Sequence, residues 1–212
     1  SKGTHNLYGA LLYKHSNQTA LTMNLGIDNK YALITGGSHG IGLATAEALA
    51  DEGCNVAICS SSSDRLDKAV ALLKSRDVDV LGFQGDVLVP SNIERIVQDT
   101  VEAWGTVHIL VNNVGGGGRW GSPIFEDTLD AVWIDVYNKN AMAAVRFTRL
   151  LIPFMRKQKW GRVVTVASIF GREGGGRPWF NMAKSAEISL MKTLSMDHGL
   201  SRSGITFNTI AP

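Results

Sequence analysis

The sequence has little cysteine, no long apolar run and almost no surplus of charge. Its two cysteines, Cys54 and Cys59, flank a stretch that reads as one strand. Five strand residues span about 16 Å at about 3.3 Å each, whereas a disulfide needs Cα atoms within about 7 Å. The two thiols therefore do not bridge across that strand. The simplest reading is a reduced, cytoplasmic protein with two small buried side chains. No window approaches the roughly 18 uninterrupted apolar residues of a membrane span, and the start lacks the pattern of a secretion signal. A net charge of +2 gives no reason to expect nucleic acid or another polyanion as partner. Five histidines show no metal-ligand spacing, so no metal site is expected.

What the sequence does have is apolar content, 44% over 212 residues, enough for one substantial core. Residues 1–22 are polar and aperiodic and read as an N-terminal extension. A single domain is expected over 23–212. There, apolar strand-like runs alternate with helical patterns. Strands are expected at 31–34, 55–59, 78–84, 107–111, 162–167 and 205–210. Helices are expected at 44–53, 65–76, 90–104, 127–138, 140–158 and 179–199. Strands apolar on both faces, alternating with helices, imply an α/β fold: a three-layer, doubly wound, Rossmann-like parallel sheet with right-handed crossovers.

Thr35-Gly36-Gly37-Ser38-His39-Gly40-Ile41-Gly42 follows the first strand and opens a helix. Gly36 permits the tight turn, Gly40 lets backbone approach a pyrophosphate, and Gly42 lets helix and strand pack closely. The helix N-terminus then offers free N–H groups and a positive dipole end to phosphates. Strand before and helix after are the context that this glycine pattern requires. At the end of the second strand, where enzymes using NAD commonly place an acid for the ribose 2′-hydroxyl, the chain reads Cys59-Ser60-Ser61-Ser62-Ser63-Asp64-Arg65. Serine hydroxyls can donate to a 2′-phosphate, and Arg65 could add charge, so NADP(H) is favoured with NAD as the alternative. Ser63 or Asp64 would also cap the next helix.

The T-G-x-x-x-G-x-G spacing, Gly85-Asp86-Val87 after the third strand and Asn112-Asn113-Val114-Gly115 after the fourth resemble the short-chain dehydrogenase/reductase family from about Asn24 onward. The resemblance implies carbonyl–alcohol interconversion by hydride transfer. It places Asp86 and Val87 beside the adenine, and has the Asn113 and Gly115 turn line the cofactor, with Val114 where alanine is usual. Gly36, Ser38, His39, Gly40, Ile41, Gly42, Ser60, Ser61, Lys184 and Pro212 complete the expected cofactor contacts. The family's P-G turn falls at Pro212, and a lid, a helix and a last strand would follow it. Those segments are absent from this sequence and shape much of the substrate pocket, so steroid, sugar, acyl thioester and small ketone stay open.

For catalysis the resemblance implies four positions. Ser168 would hydrogen-bond the substrate carbonyl. Asn140, thirteen residues before Pro153, would hold a relay water through its backbone carbonyl. Lys184 would bind the nicotinamide ribose and lower the pKa of a tyrosine four residues earlier. That fourth position is Phe180, which has no hydroxyl to give. Three readings stay open: an active enzyme with another proton source, a tyrosine replaced to trap a complex, or a nucleotide-binding protein that acts by binding. The surrounding GREGGGRPWF departs from the usual loop as a group, which favours a natural variant, and Arg177 in it could meet an anionic group. The apolar faces of 140–158 (Ala141, Ala144, Val145, Thr148, Leu151) and 179–199 (Ala183, Ala186, Ile188, Leu190, Met191) exceed what the sheet needs. In the resembled family the remainder pairs across a two-fold axis into dimers and tetramers.

Overall fold

The computed structural model describes residues 24–212, so the extension expected at 1–22 lies outside the described residues. Six strands form one sheet: β1 (Tyr31–Thr35), β2 (Asn55–Ser60), β3 (Val80–Gln84), β4 (Ile109–Asn112), β5 (Gly161–Val166) and β6 (Ile205–Ile210). All pairings are parallel, in the order β3-β2-β1-β4-β5-β6. The helices are α1 (Gly40–Asp51), α2 (Ser63–Leu73), α3 (Pro90–Trp104), α4 (Asp130–Tyr137), α5 (Ala143–Lys157), α6 (Pro178–Met196) and the short α7 (His198–Ser201).

Strand residues alternate between two apolar layers, as the pleat requires. Ala32, Ile34, Val56 and Ile58 pack with Ala46, Ala50, Leu66 and Leu73 from α1 and α2. Leu33, Ala57, Leu110 and Val163 pack with Ile93, Ile96, Phe147, Leu151 and Met191 from α3, α5 and α6. The order reverses between β1 and β4, since β2 and β3 extend from one side of β1 and β4, β5 and β6 from the other. In open α/β sheets ligands bind in the crevice at that point, beyond the carboxyl ends of the strands.

Local differences from the expected elements have identifiable causes. The first helix starts at Gly40, not 44; the glycines that weaken helical propensity serve the left-handed φ of Gly40 and the close approach at Gly42. Ser62, rather than Ser63 or Asp64, caps α2, accepting from Arg65 N. The helices expected at 127–138 and 140–158 run together through a π turn, Asn138–Met142; such turns recur at functional sites. The helix expected to reach 199 stops at Met196, where the Asp197 side chain instead accepts from Leu200 N at 3.0 Å and starts α7.

One junction ties the two diverging loops together. The buried Thr35 hydroxyl accepts from Asn113 N and Val114 N, both at 3.0 Å. Asn113 Nδ2 donates back to Thr35 O at 3.0 Å and Gly36 O at 3.2 Å. Thr35→Val keeps the shape and removes the acceptor, leaving two backbone N–H groups short of a partner. Urea unfolding should show a loss of about 1–3 kcal/mol, with the cleft beyond this junction loosened.

Candidate functional site

Gly36, at φ +66, makes the turn out of β1, and a side chain there would meet Asn113 Nδ2 and Val114. At Gly42 a Cβ would run into Asn113 Nδ2 and Gly36 O, so α1 can lie against the junction only with glycine there. Gly40, at φ +56, faces open space instead. The α1 N-terminus has no acid in its first turn, and its N-cap His39 makes no side-chain cap bond among the described residues. Its first N–H groups therefore remain available, and the dipole favours an anion there. These features fit a pyrophosphate.

A cleft of about 230 Å³ adjoins this cradle. Of the expected cofactor residues, Gly36, Ser38, His39, Ser60, Ser61, Asp86, Val87 and Gly115 line it. Ser38 donates to the Ser60 hydroxyl at 2.9 Å, and Ser60 accepts from Ser62 N. Asp86 Oδ1 accepts from Leu88 N at 3.0 Å, fixing its loop. Asn113 acts from behind, through the junction. Ile41 points elsewhere, into a shallow groove beside Leu25, Ile27 and Ala44. Pro212 is not a wall of the cleft; its carbonyl accepts from Ile169 N, next to Ser168. Arg65 lines the cleft, as does Lys139, which the motif-based reading passed over. Lys139 Nζ lies 4.7 Å from the Trp120 ring centroid. Cys59 lines the wall too, but burial pushes its thiol up to about 11, so it stays a neutral packing group. Both cysteines are free.

Beyond the cleft, three of the four expected catalytic positions, Asn140, Phe180 and Lys184, meet along the Gly115–Gly118 backbone, and Ser168 follows two residues after Val166, whose carbonyl holds Lys184. Asn140 lies inside the π turn, fully buried. Its side chain is clamped, with Nδ2 donating to Val136 O (2.7 Å) and Gly116 O (2.8 Å) and Oδ1 accepting from Gly116 N. Ser168 leads a 3-10 turn after β5 and accepts from Phe170 N, which leaves its hydroxyl proton free to donate. Phe180 is half-buried on α6, its ring 5.7 Å from Lys184 Nζ. It packs in a small cluster with Val136, Trp179 and Ala183. Lys184 is 4% exposed. Its Nζ donates to Val166 O at 3.0 Å and to Glu187 Oε2 at 2.9 Å. A Cβ at Gly115 would stand 3.0 Å from that nitrogen. Gly115 is thus the shared floor of the phosphate cleft and the lysine site. Arg177, at the N-cap of α6, lies over the Trp179 ring and reaches Ser122 O at 3.4 Å.

Glu187 was not foreseen. It is 1% exposed, and burial pushes its carboxyl up to about 7 against the opposing pull of Lys184. The sequence signal is an acid three residues after the lysine, which ordinarily reads as an exposed helix pair. Between its ordinary 4.5 and about 7, the folded state binds this proton more tightly than the unfolded state. Stability should therefore fall as pH rises through that window and level off above it. Compared with Glu187→Gln across pH 4.5–7, the unmodified protein should lose up to about 3 kcal/mol more, measured by urea unfolding.

Residues 30–212 match the short chain dehydrogenase family. Ketoacyl reductase 1 of the granaticin polyketide synthase from Streptomyces violaceoruber is 34% identical over 85% of this chain and 66% of its own length. The 3-oxoacyl-[acyl-carrier-protein] reductase of Staphylococcus epidermidis is 32% identical over 87% of this chain and 74% of its own. The L-sorbose reductase of Gluconobacter frateurii, solved with NADPH and L-sorbose, superposes with a TM-score of 0.83 at 35% identity, covering 90% of this chain and 71% of that one. Actinorhodin polyketide ketoreductase, solved with NADPH, gives 0.80 at 32%, over 87% and 70%. NAD+-bound xylitol dehydrogenase gives 0.81 at 29%, over 88% and 70%. The chain spans about two thirds to three quarters of the length of these relatives.

Proposed function

This chain belongs to the short-chain dehydrogenase family, and from that membership we propose that it is an NADP(H)-dependent oxidoreductase interconverting a carbonyl and an alcohol. The observation that carries the reading is Gly115, which lines the cleft beside the α1 N-terminus and abuts the amine of Lys184. One continuous surface thus joins an anion cradle to a cationic hydrogen-bond donor. A bound nicotinamide would supply the hydride. The chain's own part is to seat the phosphates at α1, to present the Ser168 hydroxyl to a substrate oxygen and to offer the Lys184 amine to ribose hydroxyls. Asn140 holds the Gly116 backbone in place beside them.

NADP(H) is favoured over NAD because the end of β2 carries hydroxyls rather than a carboxylate, and because two cations, Arg65 and Lys139, line the cleft against one acid, Asp86. The ketoreductase and sorbose reductase among its similar structures were solved with NADPH. The xylitol dehydrogenase was solved with NAD+, so NAD remains the alternative. The substrate is a small carbonyl or alcohol compound. Residues 23–212 form the catalytic domain. Two copies associate through the outward faces of α5 and α6, where Val145, Ile152, Leu190 and Leu194 line an apolar groove, into a homodimer or homotetramer. Two free buried thiols suit a reducing, cytoplasmic setting. Titration followed by nicotinamide fluorescence should give at least about tenfold tighter binding of NADPH than NADH, and Arg65→Ala should erase most of that difference, about 1–3 kcal/mol for a charge-assisted hydrogen bond. Absence of binding by either cofactor would overturn the reading.

A second reading rests on Phe180: a protein that binds nucleotide and acts by binding. The two readings separate on Phe180→Tyr. In an enzyme working without its phenol, restoring a positioned acid should raise carbonyl reduction by about 10²–10⁴-fold. If unmodified protein and variant both bind NADPH yet reduce no compound in a broad carbonyl panel, the binding reading stands.

A further inference from the structure

A lysine ammonium has three donors, and two of those on Lys184 are already committed, to Val166 O and Glu187 Oε2. The third has no partner among the described residues, and the nitrogen stands 3.0 Å from where a Cβ on Gly115 would lie. A vicinal ribose diol asks for two, so one resting partner has to yield. Val166 O ends β5 and is fixed by the sheet; the Glu187 side chain is the one that can move. Without the ammonium beside it, a carboxylate this deeply buried takes up a proton rather than stay charged.

Among the described residues, Lys184 is the charged group paired with it. On α6 itself, Lys184 is the charged group that acts on Glu187. From β5, Val166 lies beside the pair, and Arg162 stacks on Trp160 at the opposite end of that strand. β6 (ITFNTI) carries no titratable side chain. The π turn contributes neutral Asn140, while its Lys139 lies over Trp120. The acids of α4, Asp130 and Asp135, are exposed to solvent; its Tyr137 packs in the cluster with Trp179. The 3-10 turn after Ser168 has no ionisable residue, and Arg172 beyond it is exposed.

We propose that Glu187 is a positioning residue for Lys184 and the proton store of this site: it anchors the amine at rest, takes up a proton when the amine turns to a bound ligand, and returns that proton through the amine to a substrate oxygen. The inference rests on the nicotinamide-dependent reading above. In the reductive direction a Lys184 N–H bond breaks as the substrate O–H bond forms. The Glu187 O–H bond then breaks as the lysine N–H is remade. The pair passes from one net positive charge to none, which balances the hydride delivered by the reduced nicotinamide. Water returns the proton to the carboxylate afterwards. This is the role left open by Phe180, whose ring stands over the same amine.

The test uses the full chain and Glu187→Gln, which keeps an acceptor for Lys184 but stores no proton. Thermal melts confirm that both are folded, and Glu187→Leu serves as a second variant if the glutamine form is not. NADPH binding is followed by calorimetry near pH 7.5 in buffers of small and large ionisation enthalpy. The expected result is uptake of a substantial fraction of a proton by the unmodified protein and its loss in the variant. The rate of carbonyl reduction in the unmodified protein should also decline about tenfold per pH unit above the carboxyl's titration, a limb that the variant lacks. If NADPH binds both proteins with the same proton uptake, or with none, the inference is overturned while the cofactor reading stands. If NADPH does not bind the unmodified protein at all, the cofactor reading fails and carries the inference down with it.

Discussion

The site depends on one hydroxyl. Thr35 ends β1 at the place where the sheet order reverses, and its oxygen accepts two backbone N–H groups from the loop that follows β4. Asn113 completes the junction by donating back across it. Diverging loops at such a switch point open a crevice, but only a fixed distance between them gives that crevice a shape. Here the distance is set by four hydrogen bonds, largely shielded from water, where their geometry is worth most. Gly42 then brings α1 down onto the same asparagine, which aims the helix N-terminus along the crevice. The anion cradle and the floor at Gly115 are held in register by this junction rather than by the apolar layers beneath.

The order of the elements and the phosphate cradle were legible in the sequence because both rest on local rules. Strands apolar on two faces can only be interior to a helix-covered sheet. A glycine run after a strand announces its turn whatever the tertiary context. Ser168, Lys184 and Asn140 were singled out by their spacing and the resemblance that it carries, and their catalytic roles stay part of the proposal. Glu187 was not, because a lysine and an acid three residues apart look the same on a solvated helix as in a core. Burial alone separates the two, and burial here comes from α6 packing on β5, β6 and the π turn. Lys139 escaped for a similar reason. The wide turn at Asn138–Met142 was expected to be a break between two helices; the continuous, locally widened helix instead places Lys139 at the cleft and Asn140 on the backbone of Gly116.

Phe180 and Glu187 make more sense together than apart. A buried ammonium facing a phenol favours the phenolate and is partly neutralised by it. Facing a phenyl ring at 5.7 Å, it has only the weak attraction of an aromatic face, about 0.5–2 kcal/mol, against a desolvation cost of several kcal/mol per ion. A carboxylate at 2.9 Å offsets that cost, and the Val166 carbonyl supplies a further hydrogen bond. On the proposed reading, in which Phe180 stands where a phenol is usual, the lysine lacks that partner and the acid at position 187 provides one.

The same pairing sorts charge along the cleft. At the α1 end, free N–H groups, Arg65 and Lys139 make a positive surface, opposed by Asp86. At the Ser168 end, Lys184 is balanced by the Glu187 carboxylate behind it. A ligand with anionic groups at one end and an uncharged reacting group at the other fits that gradient in a single orientation. Reversing it would set phosphates against a neutralised pair and leave the cations of the cradle without partners. Electrostatic complementarity of this kind fixes register more than it adds affinity, so the polarity of the cleft orients its ligand before any contact to the reacting group is made.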